Sequence, residues 1–292
     1  ASAGLAAALA ARPSTGLGDR DFSERALAVT DFVTQSARTC FPPELTTAAS
    51  MKAFRAVLVS ARANFAMFHW WSGLDEDYVV LGHDRVDPDS AFLQDHEGGR
   101  ALGLRDWGSL SLGGVGHKLW QWLSCADYRV LREHLDALLL HFIVTYHESG
   151  GPRLVFETLR FHVVIAVVMQ SFLLLDSVPQ LYRWLSKDRW GGIGGLWDPG
   201  LLEHSAAEGS QWHFVKCIGN VLTMVNHLNI VSVLEQHVGT IFTAHAVGAL
   251  LPQTAEEWRA PAECRAHPGL LQACAGGARI REAPSRTAAL VC

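Results

Sequence analysis

Residues 79–109, VVLGHDRVDPDSAFLQDHEGGRALGLRDWGS, constrain the fold more than any other stretch, because here apolar residues come in short runs broken by turn chemistry. An apolar run from Tyr78 to Leu81 ends at His83, and a polar loop with Pro88 runs from Asp84 to Ser90. Two short apolar pieces, Ala91 to Leu93 and Ala101 to Leu104, flank Gly98-Gly99, and Asp106-Trp107-Gly108 follows. Runs of this length bounded by Pro, Gly and Asp predict a strand, a loop, a β-hairpin and an acid-containing turn.

The rest reads as helix. A helix is predicted over 45–71. Leu119, Trp120, Trp122 and Leu123 make one apolar helix face after Gly114. From Tyr128 to His147, Leu131, Leu135, Leu138, Leu139, Phe142 and Ile143 recur at helical spacing, with Arg132, Glu133 and Asp136 facing out. Ser149-Gly150-Gly151-Pro152 stops that helix, since glycine suits the position after a helix and proline cannot continue one. Further helices are predicted at about 154–175, 179–187, 211–236 and 238–250. The expected organisation is a disordered or linker segment over 1–27, one domain over 28–250 and a disordered Ala/Arg/Pro/Gly tail over 251–292.

Composition narrows the function. A net charge of −5 without a basic block leaves no electrostatic footprint for nucleic acid. The longest apolar run, Val163 to Leu175, is interrupted by Gln170 and falls short of the ~20 residues that span a bilayer, so a buried helix and no membrane span are expected. Cysteines at 40, 125, 217, 264, 274 and 292 show neither metal-ligand nor disulfide-framework spacing, and a reduced, cytoplasmic setting is the default. Residues 1–20 read as a loose linker or a transit-peptide remnant.

The segment from His83 to Gly108 resembles the catalytic segment of the aminoglycoside phosphotransferase and choline kinase group within the protein-kinase-like fold. That group's pattern is H-x-D-x-x-x-x-N, a hairpin, then D-W-G. His83, Asp106, Trp107 and Gly108 match it, whereas Arg85 stands at the catalytic Asp and Ser90 at the metal-binding Asn. The flanking stretches FVTQSARTCFPPELTT, WWSGLDEDYVVLGHD and GVGHKLWQWLSCADYRVLREHLDALLLHFIVTYHESGGPRL are similar to kinase-like proteins of algae and other protists. The resemblance spans roughly residues 28–245. It implies a mainly α (α+β) fold: a kinase-like C-terminal lobe, helical with a small β-hairpin at the catalytic loop. It also implies ATP and Mg²⁺ as cofactors, and a nucleotide and a small hydroxylated molecule as partners. Nothing before Tyr78 reads as the N-terminal lobe, with its glycine-rich strand turn and strand lysine. The run Gly191 to Gly195 has no lysine after it and reads as a flexible loop between helices.

Phosphoryl transfer is mostly positioning and charge neutralisation, with a carboxylate near the acceptor hydroxyl and oxygen ligands on Mg²⁺. Arg85 cannot accept a proton, because a guanidinium stays charged at physiological pH. Asp84 and Asp87 are the carboxylates that could substitute for the lost base, while Asp106 and Ser90 remain as the metal-ligand candidates. The expected function is thus a catalytically impaired phosphotransferase-family protein, a pseudokinase or a fragment. The alternatives are an active ATP-dependent small-molecule kinase with its N-lobe upstream, and a non-catalytic helical interaction scaffold. Across the vestigial site, Arg85 and Asp106 are expected to pair.

Other residues carry less. Lys118 either reaches a phosphate-like anion or solvates a helix end. Trp70, Trp71 and Trp107 either stack on a ring substrate or anchor the core. His141 and His147, six apart on a helix, point to different faces and do not share a metal. No Ser or Cys has a partnered base at a recognisable spacing, so a hydrolase has no positive support.

Overall fold

The computed structural model describes residues 18–73, 75–84, 90–96, 99–202 and 211–237. Within them the protein is mainly helical, with two small antiparallel sheets of two strands each. Helix α1 (Asp19–Asp31) runs into a π-helical turn at Phe32–Ser36, and α2 spans Ala48–Ser72. The strands follow as β1 (Val79–His83), β2 (Ala91–His96), β3 (Gly99–Leu104) and β4 (Leu110–Gly114). Then come α3 (Val115–Leu123), α4 (Tyr128–Glu148), α5 (Phe156–Leu173), α6 (Ser177–Trp184), the one-turn α7 (Lys187–Trp190), α8 (Gln211–His227) and α9 (Ile230–His237).

Local chemistry sets several boundaries. The Thr47 hydroxyl accepts the backbone N–H of Ser50 and starts α2, and Asp127 accepts that of Arg129 to start α4. Helix α4 ends where Gly150 takes φ +96° and the Gly150 and Gly151 N–H groups donate back to the carbonyls of His147 and Tyr146. Helix α2 is kinked at Asn64, whose side-chain amide donates to the Ser60 carbonyl.

Helix α5 is the centre of the molecule. Every residue from His162 to Val168 is buried, because α2, α3, α4 and α8 all pack on it. Its crossing with α3 is close: a Cβ on Gly116 would lie 2.2 Å from the His162 carbonyl oxygen, so only glycine fits there. Around Phe32, Phe41, Tyr182 and Trp190 make edge-to-face ring contacts that tie α1 to α6 and α7. The continuous helical stretch Phe156–Trp184 is long and apolar enough to cross a membrane, longer than the apolar run suggested. Yet 72% of its most apolar window is already buried inside the fold. It is a core helix by packing.

Several expectations need correction. The segment 1–27 was expected to be disordered or linker, but helix begins at Asp19. Phe22, Ala26 and Val29 recur at helical spacing and are buried, with Phe22 stacked on Phe172. The single helix expected over 211–236 is two helices bent by 62°, because Asn229 adopts φ +46° between them. Leu138, expected inside, is exposed, as α4 is fully covered along Leu131, Leu135 and Leu139 and only partly at Phe142, Ile143 and Tyr146. The Gly191 to Gly195 loop is pinned rather than loose. Thr39 donates to the Ile193 carbonyl at 2.6 Å, and Asp198 accepts the N–H groups of Gly194 and Gly200, each at 2.8 Å. The helix expected at 238–250 and the tail over 251–292 lie outside the described residues, as do residues 1–17.

Candidate functional site

The strand and the paired hairpin strands expected over 78–108 are present, and β4, which periodicity did not suggest, completes them; residues 85–89 of the expected loop and 97–98 of the expected turn lie outside the described residues. Strands β1 and β4 pair antiparallel with Val79 opposite Gly114 and His83 opposite Leu110, while β2 and β3 form a separate hairpin with Ala91 opposite Leu104. At the hairpin turn Gly99 has φ +133°, a conformation that favours glycine. Gly103 leaves room for the Phe92 ring across the pair, where a Cβ would meet it at 2.3 Å. The β1–β4 ladder brings the two ends of the segment together, so that His83 at the end of β1 lies beside Leu110, just after the turn at Asp106.

His83 is buried at the end of β1. Its Nε2 lies 3.0 Å from the Arg105 carbonyl oxygen and donates to it, which assigns the ring proton to Nε2. The ring meets Trp107 edge to face at 5.4 Å, and Trp107 Nε1 donates to the Leu104 carbonyl at 3.0 Å. Arg105 N–H donates to the Ser90 carbonyl at 2.9 Å, joining the end of the 84–90 loop to the acidic turn. Asp106 itself is left-handed, at φ +64° and ψ +41°, and exposed. A non-glycine residue held there marks a turn specified by its surroundings, and such backbone concentrates at functional sites.

Lys118 is the residue that sequence reasoning placed least well. It neither reaches outward for an anion nor solvates a helix end, being only 6% exposed. From the first turns of α3 its ammonium donates to the Gly82 carbonyl at 3.1 Å and to Ser111 Oγ at 3.0 Å, and it is ion-paired with Asp84. Gly82 and Gly113 make this possible, since a Cβ on either would come within 3.3 Å of the lysine stem. The glycines on facing strands were the available signal. Burial pushes the Asp84 carboxyl up, but hydrogen bonds from Lys118 and Ser111 and the Lys118 charge outweigh it and hold the carboxyl below the usual range. A carboxylate so held is a weak base. Neighbouring His117 is kept neutral to lower pH by its burial and by the Lys118 charge.

Arg85, Asp87 and the expected Arg85–Asp106 pair lie outside the described residues. Of the two metal-ligand candidates, Asp106 is exposed and Ser90 buried, so only Asp106 offers oxygen directly to an ion arriving from solvent. One carboxylate suffices for a Mg²⁺ carried in on phosphates but not for a dedicated protein cage, and it is to that limited extent that the residues fit the ion. Among the described residues no three His, Cys, Asp or Glu side chains converge as metal ligands. Trp71 packs against Phe68 and Phe161 as a core anchor, whereas Trp107 belongs to the site through His83.

Compared with protein-family models, with curated proteins and with solved structures, the chain matches none.

Proposed function

We propose that residues 78–114 are a phosphotransferase-type catalytic segment, of the aminoglycoside phosphotransferase and choline kinase kind, set in a kinase-like C-terminal lobe and impaired for catalysis. One observation carries the reading: the β1–β4 ladder sets the end of β1 beside the Asp106 turn, where His83 hydrogen-bonds the Arg105 carbonyl. The motif residues His83 and Trp107 are thus in ring contact, with Asp106 in the turn between Arg105 and Trp107. Impairment is supported by chemistry. Arg85 is a cation where the base belongs, and Asp84, the nearest substitute, is committed to Lys118. Loss of a general base costs on the order of 10²–10⁴ in rate. Asp106 would hold the metal of a Mg²⁺–nucleotide, which supplies charge neutralisation at the phosphates when bound.

The second reading, a non-catalytic interaction scaffold, is favoured by Leu81 and Leu112, which face each other across the β1–β4 pair and are both well exposed. Calorimetric titration of ATP with Mg²⁺ into the whole chain separates the two. Heat of binding that is abolished by Asp106→Ala supports the first reading, and its absence supports the scaffold. Phosphoryl transfer to choline or an aminoglycoside should be undetectable in the parent, and a rise in the Arg85→Asp, Ser90→Asn double variant carrying any native upstream lobe would support an impaired kinase site. Robust transfer by the parent, lost in Asp84→Ala or Asp87→Ala, would instead identify an active kinase.

A further inference from the structure

Some distance along the chain from the strand segment, the short link between α3 and α4 places a cysteine against a histidine that sequence spacing did not connect. Cys125 Sγ lies 3.2 Å from His213 Nδ1, the two residues being 88 apart in the chain. This corrects the expectation that no Cys has a partnered base. The juxtaposition is built, not incidental. His213, Lys216, Cys217 and Asn220 follow one another at helical spacing along α8. The buried Asn220 amide donates to the carbonyls of Leu123, Ser124 and Ala126, the last two at 2.8 Å each, and so clamps the backbone on both sides of Cys125. Cys125 is half-buried and reachable, unlike the fully buried Cys217.

A cation stands near the sulfur. The Lys216 ammonium sits 4.6 Å from the Trp212 ring centroid and 5.4 Å from that of Trp197, held within the same cluster. Burial lowers its basicity, and the negative charges of Asp127 and of an ionised Cys125 oppose that lowering. Among the described residues the titratable and charged groups around the sulfur are His213 and Lys216, which favour its anion, and Asp127 and Cys217, which do not.

We propose that Cys125 and His213 form a nucleophilic thiol–imidazole pair at which the chain is oxidised by small hydroperoxides. The imidazole takes the thiol proton at Nδ1. The thiolate sulfur attacks the terminal oxygen of ROOH, an S–O bond forms, the O–O bond breaks, and the alkoxide leaves with the proton from the imidazolium as ROH. The sulfur is oxidised by two electrons to a sulfenic acid and the peroxide is reduced to an alcohol, or to water when R is hydrogen. In thiols generally, a pKa two units below the ordinary value of about 8.5 raises the ionised fraction at pH 6.5 about fiftyfold. The same shift lowers intrinsic nucleophilicity about tenfold, so a net gain of about fivefold over an ordinary thiol is the scale such a pair can reach.

The test is the rate of iodoacetamide alkylation of Cys125 in the whole folded chain at pH 6.5, read by peptide mass spectrometry against glutathione as the reference thiol. Cys125 should react about fivefold faster than glutathione, and His213→Gln should remove the advantage. Hydrogen peroxide followed by dimedone should place the sulfenic acid adduct on Cys125. If His213→Gln fails to fold, the pH profile of alkylation in the parent decides, with an inflection below 7.5 expected. A parent rate no higher than that of glutathione, an inflection at 8.5 or above, an advantage that survives in folded His213→Gln, or no dimedone adduct would each overturn the proposal.

Discussion

Helix α5 and the strand segment over 79–114 are built on opposite principles. In α5 seven consecutive residues, His162 to Val168, are buried, so the helix is covered all round and its order comes from packing. In the β1–β4 pair the directly opposed Leu81 and Leu112 are 58% and 72% exposed, and beside the half-buried Val80 the inner contacts include polar ones gathered on Lys118 and the Arg105 carbonyl. Helices supply the stability. The strands are held in place largely by a few directional bonds.

The largest effect that would test this contrast is in the core. Trp120→Ala, at a fully buried position, should cost about 3–5 kcal/mol by the loss of apolar contact and the cavity left behind. Denaturant midpoints at constant m-value measure it, and a cost near 1 kcal/mol would mean that α3 is less tightly packed than its burial indicates.

Acid should act at the joint between the two regions. His162 on α5 stacks on Tyr78 at 4.7 Å, and the Tyr78 hydroxyl, just before β1, hydrogen-bonds the backbone of Val155. The His162 Nδ1 is buried without a partner, and burial depresses its pKa to about 4 from 6.5. The unfolded chain therefore binds the proton more readily, so stability falls as the pH drops below 6.5 and levels off below about 4, by on the order of 3 kcal/mol in all. Midpoints at pH 7, 5 and 4 should show this slope, and His162→Phe should flatten it.

Within the strand segment the ion pair should break asymmetrically. Asp84→Asn leaves a buried ammonium without its counterion and should cost about 2 kcal/mol, below the range for fully buried pairs because Asp84 is partly exposed. Lys118→Met leaves a carboxylate that can turn to water and should cost less than about 1 kcal/mol. Equal costs would place the pair's strength in the lysine stem instead. The smallest effect belongs to the open sheet face: Leu112→Ser should shift stability by no more than about 0.5 kcal/mol in thermal or denaturant melts. A larger loss would mean that something covers this face in solution.

Much of the architecture was legible because local patterns carry it. The α4 spacing and its Gly150-Gly151-Pro152 stop, the short apolar runs of β1 to β3 and the turn at Asp106 are each specified by residues close in the chain. Helix α1 was hidden because its apolar residues follow an Ala/Gly-rich stretch, and the break at Asn229 because one left-handed residue leaves little trace in periodicity. Of the site, His83, Asp106 and Trp107 could be picked out by motif, whereas β4 reads as a glycine-flanked Leu-Ser-Leu too brief to identify by alternation alone.

By itself, the sequence determined the helical class, the place of the strand segment, and the chemical identities at 85 and 90, because residue type and short-range spacing need no knowledge of the fold. Only tertiary structure decided which groups meet. The Lys118 ammonium lies on Asp84, 34 residues away, and Cys125 on His213, 88 residues away, since Gly82, Gly113 and Gly116 allow close approach in one place and Asn220 clamps the backbone in the other. Such pairings depend on distances that packing sets, and no single-chain spacing encodes them.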